Sequence, residues 1–282
     1  MKKAFALFGL WLFLLLPGWT ATVYIKLAAG LGYAELTPIN RNLEDWLAYH
    51  VRDVEVHPAF EFLEGSVPVL RTLFTFDGEL VFSLNSRLSL SVGSGFIFGE
   101  VPQKTTETTV QKLVGTFINV YPVQISAIPL TLNVTYSLPL MKRLHAYVRA
   151  GGGLLWAKYV DRTGRRLSET KSFSYQTYNY ATSRNPLFQG GGGFQFEMEA
   201  GIFLYVEMDY RAARISGLKG ENKDGQQGTL FSYKEYDGQV DIWTSRFGVY
   251  SEAPSGEFYS DVKEAAFRLD GMTIRIGVMF RF

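Results

Sequence analysis

The sequence predicts an all-β fold: an eight-stranded antiparallel up-and-down transmembrane β-barrel with long extracellular loops. Three observations predict it: segments in which apolar and polar residues alternate, short and long links that take turns between those segments, and a chain end that is itself such a segment. In the ending TIRIGVMFRF, Ile274, Ile276, Val278, Phe280 and Phe282 alternate with Thr273, Arg275, Gly277, Met279 and Arg281. Side chains of a strand point to opposite faces in turn, so one face is apolar and the other holds the arginines.

The chain has 282 residues, with 28 basic against 27 acidic, a net charge of +1 that points to no nucleic-acid partner. Its 22 Phe, 16 Tyr and 28 Gly favour strands and turns, and the absence of Cys excludes disulfides and thiolate metal sites. The start, MKKAFALFGLWLFLLLPGWTAT, has two lysines, an apolar run from Ala4 to Leu16, a Pro-Gly break and small residues. That layout reads as a signal peptide over residues 1–21, cut between Thr20 and Thr22, and its run is shorter than the roughly 20 residues a spanning helix needs. Residues 22–282 then form one barrel domain.

The segments follow in order. Residues 23–34 set Ile25, Leu27, Ala29, Leu31 and Tyr33 against Tyr24, Lys26, Ala28, Gly30 and Gly32. Residues 69–82 set Leu70, Thr72, Phe74, Phe76, Leu80 and Phe82 against Arg71, Thr75, Asp77 and Glu79. Segments 87–98 and 130–138 pair Leu90, Val92, Leu132, Val134 and Tyr136 with Ser, Thr, Asn and Gly. In 144–159, Val148, Leu154 and Trp156 oppose His145, Tyr147 and Arg149; in 187–198, Phe188, Phe194 and Phe196 oppose Gln189, Gln195 and Glu197. Segment 203–214 sets Leu204, Val206, Met208 and Tyr210 against Glu207, Asp209 and Arg211, and 267–282 closes the set.

Links near 85–86, 139–143 and 199–202 are short, whereas 37–66, 99–118, 161–186 and 216–266 are long. Outer-membrane barrels show this asymmetry, with tight periplasmic turns and longer outward loops, so the predicted location is the cell outer membrane. Within the first long link, Leu43, Trp46, Leu47 and His50 at helical spacing predict a short helix over 40–50. In the last, Asp237-Gly238 predicts a hairpin, which is placed above the membrane because Asp241 or Arg246 would otherwise face lipid. Ten spanning strands is the alternative.

If the apolar faces meet lipid, the wet faces line an interior, and their charges need partners there. The predicted lumen network is Arg71, Asp77, Glu79, Arg149, Glu197, Glu207, Asp209, Arg211 and Arg275, filling the lumen rather than leaving a channel. Tyr33, Tyr136, Trp156 and Tyr210, near strand ends, are the predicted interface aromatics. The glycine runs 151–153 and 190–193 sit inside strands and let the sheet bend around large interior side chains.

The signal peptide, IPLTLNVTYSL followed by a turn and YVRAGGGLLWAKY, GGGGFQFEMEAG with FLYVEMDYRAARISGLKG, and GMTIRIGVMFRF together resemble the small bacterial outer-membrane β-barrel family, the OmpA/OmpX/OmpW-like barrels. The resemblance implies that Ile276, Val278, Phe280 and Phe282 form the signal read by the barrel assembly machinery. It also implies outer-membrane lipids and lipopolysaccharide as partners, and a monomer that presents surface loops for envelope integrity or surface interaction. The long first and last outward loops depart from the smallest members.

The reading is of a protein without cofactor or metal and not an enzyme. The alternatives are a narrow conduit for small or hydrophobic solutes and, third, a lipid A modifying enzyme using His50 or His57. Neither histidine stands in a motif with Ser and an acid, and His145 lies by a turn.

Overall fold

The computed structural model describes residues 22–170 and 173–282. The signal peptide expected at 1–21 lies outside these residues. The fold is all-β, with one helix of consequence.

Eight strands hydrogen-bond in a closed circuit: β1 (Thr22–Tyr33), β3 (Thr72–Ser83), β4 (Leu88–Val101), β7 (Val123–Pro139), β8 (Leu144–Leu167), β9 (Ser174–Glu199), β10 (Ile202–Ala212) and β17 (Gly271–Arg281). Each pairs antiparallel with the next, and β17 returns to β1 with Leu31 opposite Ile274 and Leu27 opposite Val278. Closure leaves the ring no free edge. The short turns 84–87, 140–143 and 200–201 lie at one end together with both ends of the described chain. There Phe282 N–H donates to Val23 O at 2.9 Å, tying the two ends together.

The period of two decides what each face does. Leu31, Phe74, Phe96, Leu132, Val148, Phe188, Val206 and Ile274, one from each ring strand, are 44 % to 65 % exposed. Their neighbours along the strands, including Lys26, Thr75, Gly93, Thr131, Arg149, Glu207 and Arg275, point inward and are buried. The ring is thus oily outside, and its charged and polar residues are enclosed within.

Two predicted long links are not loops. The expected link 161–186 is mostly strand, because β8 and β9 run on for 24 and 26 residues as one tall hairpin. Thr163, Thr177 and Tyr175 favour the extended chain, and pairing continues from Leu144–Phe196 to Arg165–Ser174. The expected link 99–118 contains β5 (Thr108–Lys112) and most of β6 (Gly115–Val120).

Beyond the ring this hairpin carries two flaps. The outer part of β8 pairs β6, then β5, then β2 (Glu61–Gly65). The outer part of β9 pairs β12 (Lys219–Asn222), which leads to β13 (Gln227–Asp237), β14 (Ile242–Tyr250) and β15 (Tyr259–Glu264). The hairpin at Asp237-Gly238 therefore stays outside the ring circuit. Short strands β11 (Arg214–Ile215) and β16 (Phe267–Arg268) prolong the β10–β17 ladder.

Helix α1 (Thr37–Val56) spans 20 residues, longer than the predicted 40–50, and among the described residues no helix is long and apolar enough to cross a membrane. Pro38 starts it, as suits a first-turn position. Its buried face, Ile39, Leu43, Trp46 and His50, recurs at helical spacing and packs among β14, β2 and β5, bridging the flaps. Asn40 clamps its start: Nδ2 donates to Leu70 O at 3.1 Å and Oδ1 accepts from Leu70 N–H at 2.7 Å. Asn42 Nδ2 donates to Ser245 O at 2.7 Å, and Asp45 accepts from Ser245 N–H at 3.0 Å.

Candidate functional site in the ring interior

The interior has three layers. At the outer end Leu43 and Trp46 of α1 meet Leu73, Ile97, Ile125, Leu155 and Leu187 of the ring in one apolar core. Tyr159 stacks on Phe267 at 5.0 Å between ring centroids, and Phe247 meets both edge-on at 5.4 Å. At the short-turn end Val81, Phe203, Tyr205 and Met279 form a smaller cluster.

Between them lies the charged layer. Glu207, almost fully buried, is its centre: Lys26 Nζ is 2.5 Å from Oε2, Arg275 Nε is 2.9 Å from Oε1, and the Tyr147 hydroxyl donates at 2.8 Å. Arg149 bridges Glu79 at 2.7 Å and Asp209 at 3.2 Å. Arg275 reaches Asp77 at 2.6 Å and also bonds Asp209. Ser91 donates to Glu79 at 2.9 Å, and Lys26 lies 4.2 Å above the Tyr205 ring. Three cations and four carboxylates share the layer, and removing any one of the cations leaves a buried carboxylate short of a partner.

Glycine makes the room. A Cβ on Gly191 would stand 2.1 Å from Met208 O and 2.3 Å from Asp209 Oδ1, and one on Gly153 would stand 1.9 Å from Leu130 O. Next to the charges a polar band continues, in which Asn133 Oδ1 accepts from Gln189 Nε2 at 2.7 Å.

Of the nine residues predicted for the network, Asp77, Glu79, Arg149, Glu207, Asp209 and Arg275 come together. Arg211 is buried nearer the outer end, its Nε donating to Leu269 O at 3.2 Å. Arg71 is a correction: it precedes β3 and is exposed beside Glu35, Arg41 and Glu44, because the ring interior begins only at Leu73. Glu197 is a second correction: it is half-buried at the short-turn end, where it lines a cavity of about 230 Å³ with His145, Gln195 and Arg281. Sequence reasoning missed Lys26, although its place among the wet-face residues of 23–34 is the signal that marks it.

The predicted interface aromatics face outward. Tyr33, Tyr136 and Tyr210 are exposed, and Trp156 is half-buried under Arg184, whose guanidinium is 5.9 Å from its ring. Ile276 and Phe282 are exposed, and Val278 and Phe280 half-buried, on the outer side of β17 and its end.

The outer histidines are held by structure. His50 packs edge-on to Trp46 at 4.8 Å, and burial, reinforced by Arg165, Arg246 and Lys112 against Asp53, pushes its pKa down to about 3. His57 Nδ1 lies 3.2 Å from Asp53, which also binds Lys112 at 2.8 Å. Asp161 accepts from Tyr159 at 2.9 Å, Tyr121 at 3.1 Å and Asn179 at 2.8 Å, yet burial raises its pKa to about 6. Among the described residues no group of three or more His, Asp or Glu is placed to hold a metal ion.

No family model and no curated protein matches the chain. Among solved structures it is similar to the outer membrane protease OmpT of Escherichia coli, at 6 % identity and a TM-score of 0.28, over 94 % of this chain and 98 % of that one. The expectation that the protein is not an enzyme is corrected here: the match is a protease, and a role without catalysis gains no support from it. A likeness at that TM-score carries no argument for catalysis either.

Proposed function

We propose that the protein is an integral outer-membrane protein, an eight-stranded transmembrane β-barrel of the small-barrel type with a sealed lumen, which presents a folded head for surface interaction or envelope integrity. The observation that carries this reading is the exposure of large apolar side chains on all eight ring strands around a charged, buried interior. In water such a belt would far exceed the few hundred Å² of apolar patch that a soluble monomer tolerates. In hydrocarbon the same belt is matched, and a closed ring is required because lipid satisfies no backbone group.

Strand lengths support the same division. A tilted spanning strand needs about 9 to 11 residues, and β1, β3, β10 and β17 have 12, 12, 11 and 11. The further length of β8 and β9 rises beyond the bilayer as the head. Short turns and both chain ends then lie on the periplasmic side. Export by residues 1–21 and insertion by the assembly machinery, reading Ile276, Val278, Phe280 and Phe282, belong to this proposal.

The conduit alternative fares worse, because the charged layer and the apolar core lie one behind the other across the ring. The test is paired. Detergent-extracted protein should migrate differently when unboiled, and planar bilayers containing it should show no steady conductance. Unchanged migration would remove the barrel; discrete steady channels would remove the sealed lumen.

A further inference from the structure

The outer rim of the ring is divided in charge. On β8 the first outward residue past the apolar column ending in Leu154 and Trp156 is Lys158; on β9, past Phe188 and Pro186, it is Arg184. On β10, past Tyr210 and Ala212, the column continues into Arg214 of β11, which stands directly opposite Arg268 of β16. Lys158 is level with Thr182, and Thr182 with Lys219 of β12, so Lys219 shares the same face. On the other half the corresponding columns of β1, β3, β4 and β7 end in Glu35, Thr72, Glu100 and Gln124.

Five bases therefore form an arc across adjoining strands: Lys158, Arg184 and Arg214 follow the apolar columns of β8, β9 and β10, Lys219 shares the face of Lys158, and Arg268 lies beyond Asp270, which follows Met272 on the β17 column. Of the five, Arg268 alone has an ion pair among the described residues, to Asp270 at 3.2 Å. Lys158 and Arg184 rest on aromatic rings, over Tyr180 at 5.3 Å and over Trp156. Two arginines directly opposite each other repel, a cost that an anion between them would offset.

We propose that this arc binds the phosphates of an anionic glycolipid of the outer leaflet, of the lipid A class, whose acyl chains lie along the columns below. The inference rests on the membrane reading above and adds the face and the residues that hold the lipid's phosphates. A base near an anionic membrane surface is worth a factor of about five in binding. A phosphorylated lipid satisfies both parts of the surface at once, the bases by its phosphates and Trp156, Phe188 and Tyr210 by its chains.

The test uses the full mature chain in detergent, with bound lipid counted by native mass spectrometry. The probes are bisphosphorylated lipid A, the same lipid dephosphorylated, phosphatidylethanolamine, and inorganic phosphate as competitor. The wild type should retain bisphosphorylated lipid A on the order of tenfold more strongly than the other lipids, and millimolar phosphate should not displace it. Replacing Lys158, Arg184, Arg214, Lys219 and Arg268 together by Gln should abolish that preference, whereas Glu35→Gln with Glu100→Gln should leave it. Single Lys158→Gln and Arg214→Gln variants should each weaken binding about fivefold and serve if the multiple variant fails to fold. Equal binding by wild type and arc variants, indifference to the lipid's phosphates, or displacement by inorganic phosphate would overturn the proposal. Unboiled migration and vesicle flotation of the wild type report separately on the barrel, so failure of the arc and failure of the membrane reading are distinct results.

Discussion

Glu207 on β10 and Lys26 on β1 meet at 2.5 Å inside the ring, although β17 lies between their strands and 181 residues separate them in sequence. The contact exists only because the sheet closes. Lys26→Met should destabilise the protein by about 3 to 5 kcal/mol, since it leaves Glu207 short of a cation in a buried layer. The double variant Lys26→Met with Glu207→Gln should recover part of that loss, read as the urea midpoint of the unboiled form. A double variant as poor as the sum of the two singles would show no coupling.

Adjacent glycines should behave in opposite ways. Gly191→Ala places a Cβ against Met208 O and Asp209, both on the neighbouring strand, and should prevent the folded, fast-migrating form. Gly190→Ala points outward, with its nearest neighbour, Arg149 O, at 3.5 Å, and should fold. Equal tolerance at both positions would contradict the inward and outward assignment.

The strand core of the fold was legible because alternation of period two is local: Leu204, Val206 and Met208 against Glu207 and Asp209 need no knowledge of the rest of the chain. The head was not legible for the opposite reason. Tyr159, Phe247 and Phe267 form one cluster from three distant segments, and Thr163 reads as a loop residue although the partner strand holds it extended. Helix α1 outran its expected limits because Pro38 could start it and the Asn40 clamp on Leu70 fixes its first turn. In the charged layer, residue type and face predicted six members. Arg71 misled because alternation continues past the point where the interior ends.

Acid should weaken the head through His50. Its folded pKa of about 3 lies below the ordinary 6.5, so the unfolded chain binds the extra proton first. Stability present above pH 6.5 is lost as pH falls toward 3, at up to about 1.4 kcal/mol per pH unit. Asp161 works the other way. Its folded pKa of about 6 exceeds 3.8, so stability present below pH 3.8 is lost as pH rises through 6. Between those limits the two slopes oppose each other, and single variants separate them. His50→Gln should remove the acid-side loss, and Asp161→Asn should gain on the wild type by up to about 3 kcal/mol between pH 4 and 7. Parallel pH profiles for wild type and both variants, followed by proteolysis of the head, would refute the assignment.

Trp46 joins the helix to the outer core, 5.8 Å from Tyr121 and nearly fully buried. Trp46→Ala should cost about 3 to 5 kcal/mol and expose the head to protease while the ring keeps its unboiled migration. Loss of both together would show that the head and the ring unfold as one unit.

The central claim is that the apolar face of every ring strand meets hydrocarbon. Because the sequence contains no Cys, single cysteines at 204 through 209 can be spin-labelled one at a time in protein reconstituted into vesicles. Collision with oxygen should be high at 204, 206 and 208 and low at 205, 207 and 209, and a water-soluble nickel relaxant should be excluded from the first three. Strong nickel contact at 204, 206 and 208, equal to that of an exposed head residue, would place that face in water and contradict the account.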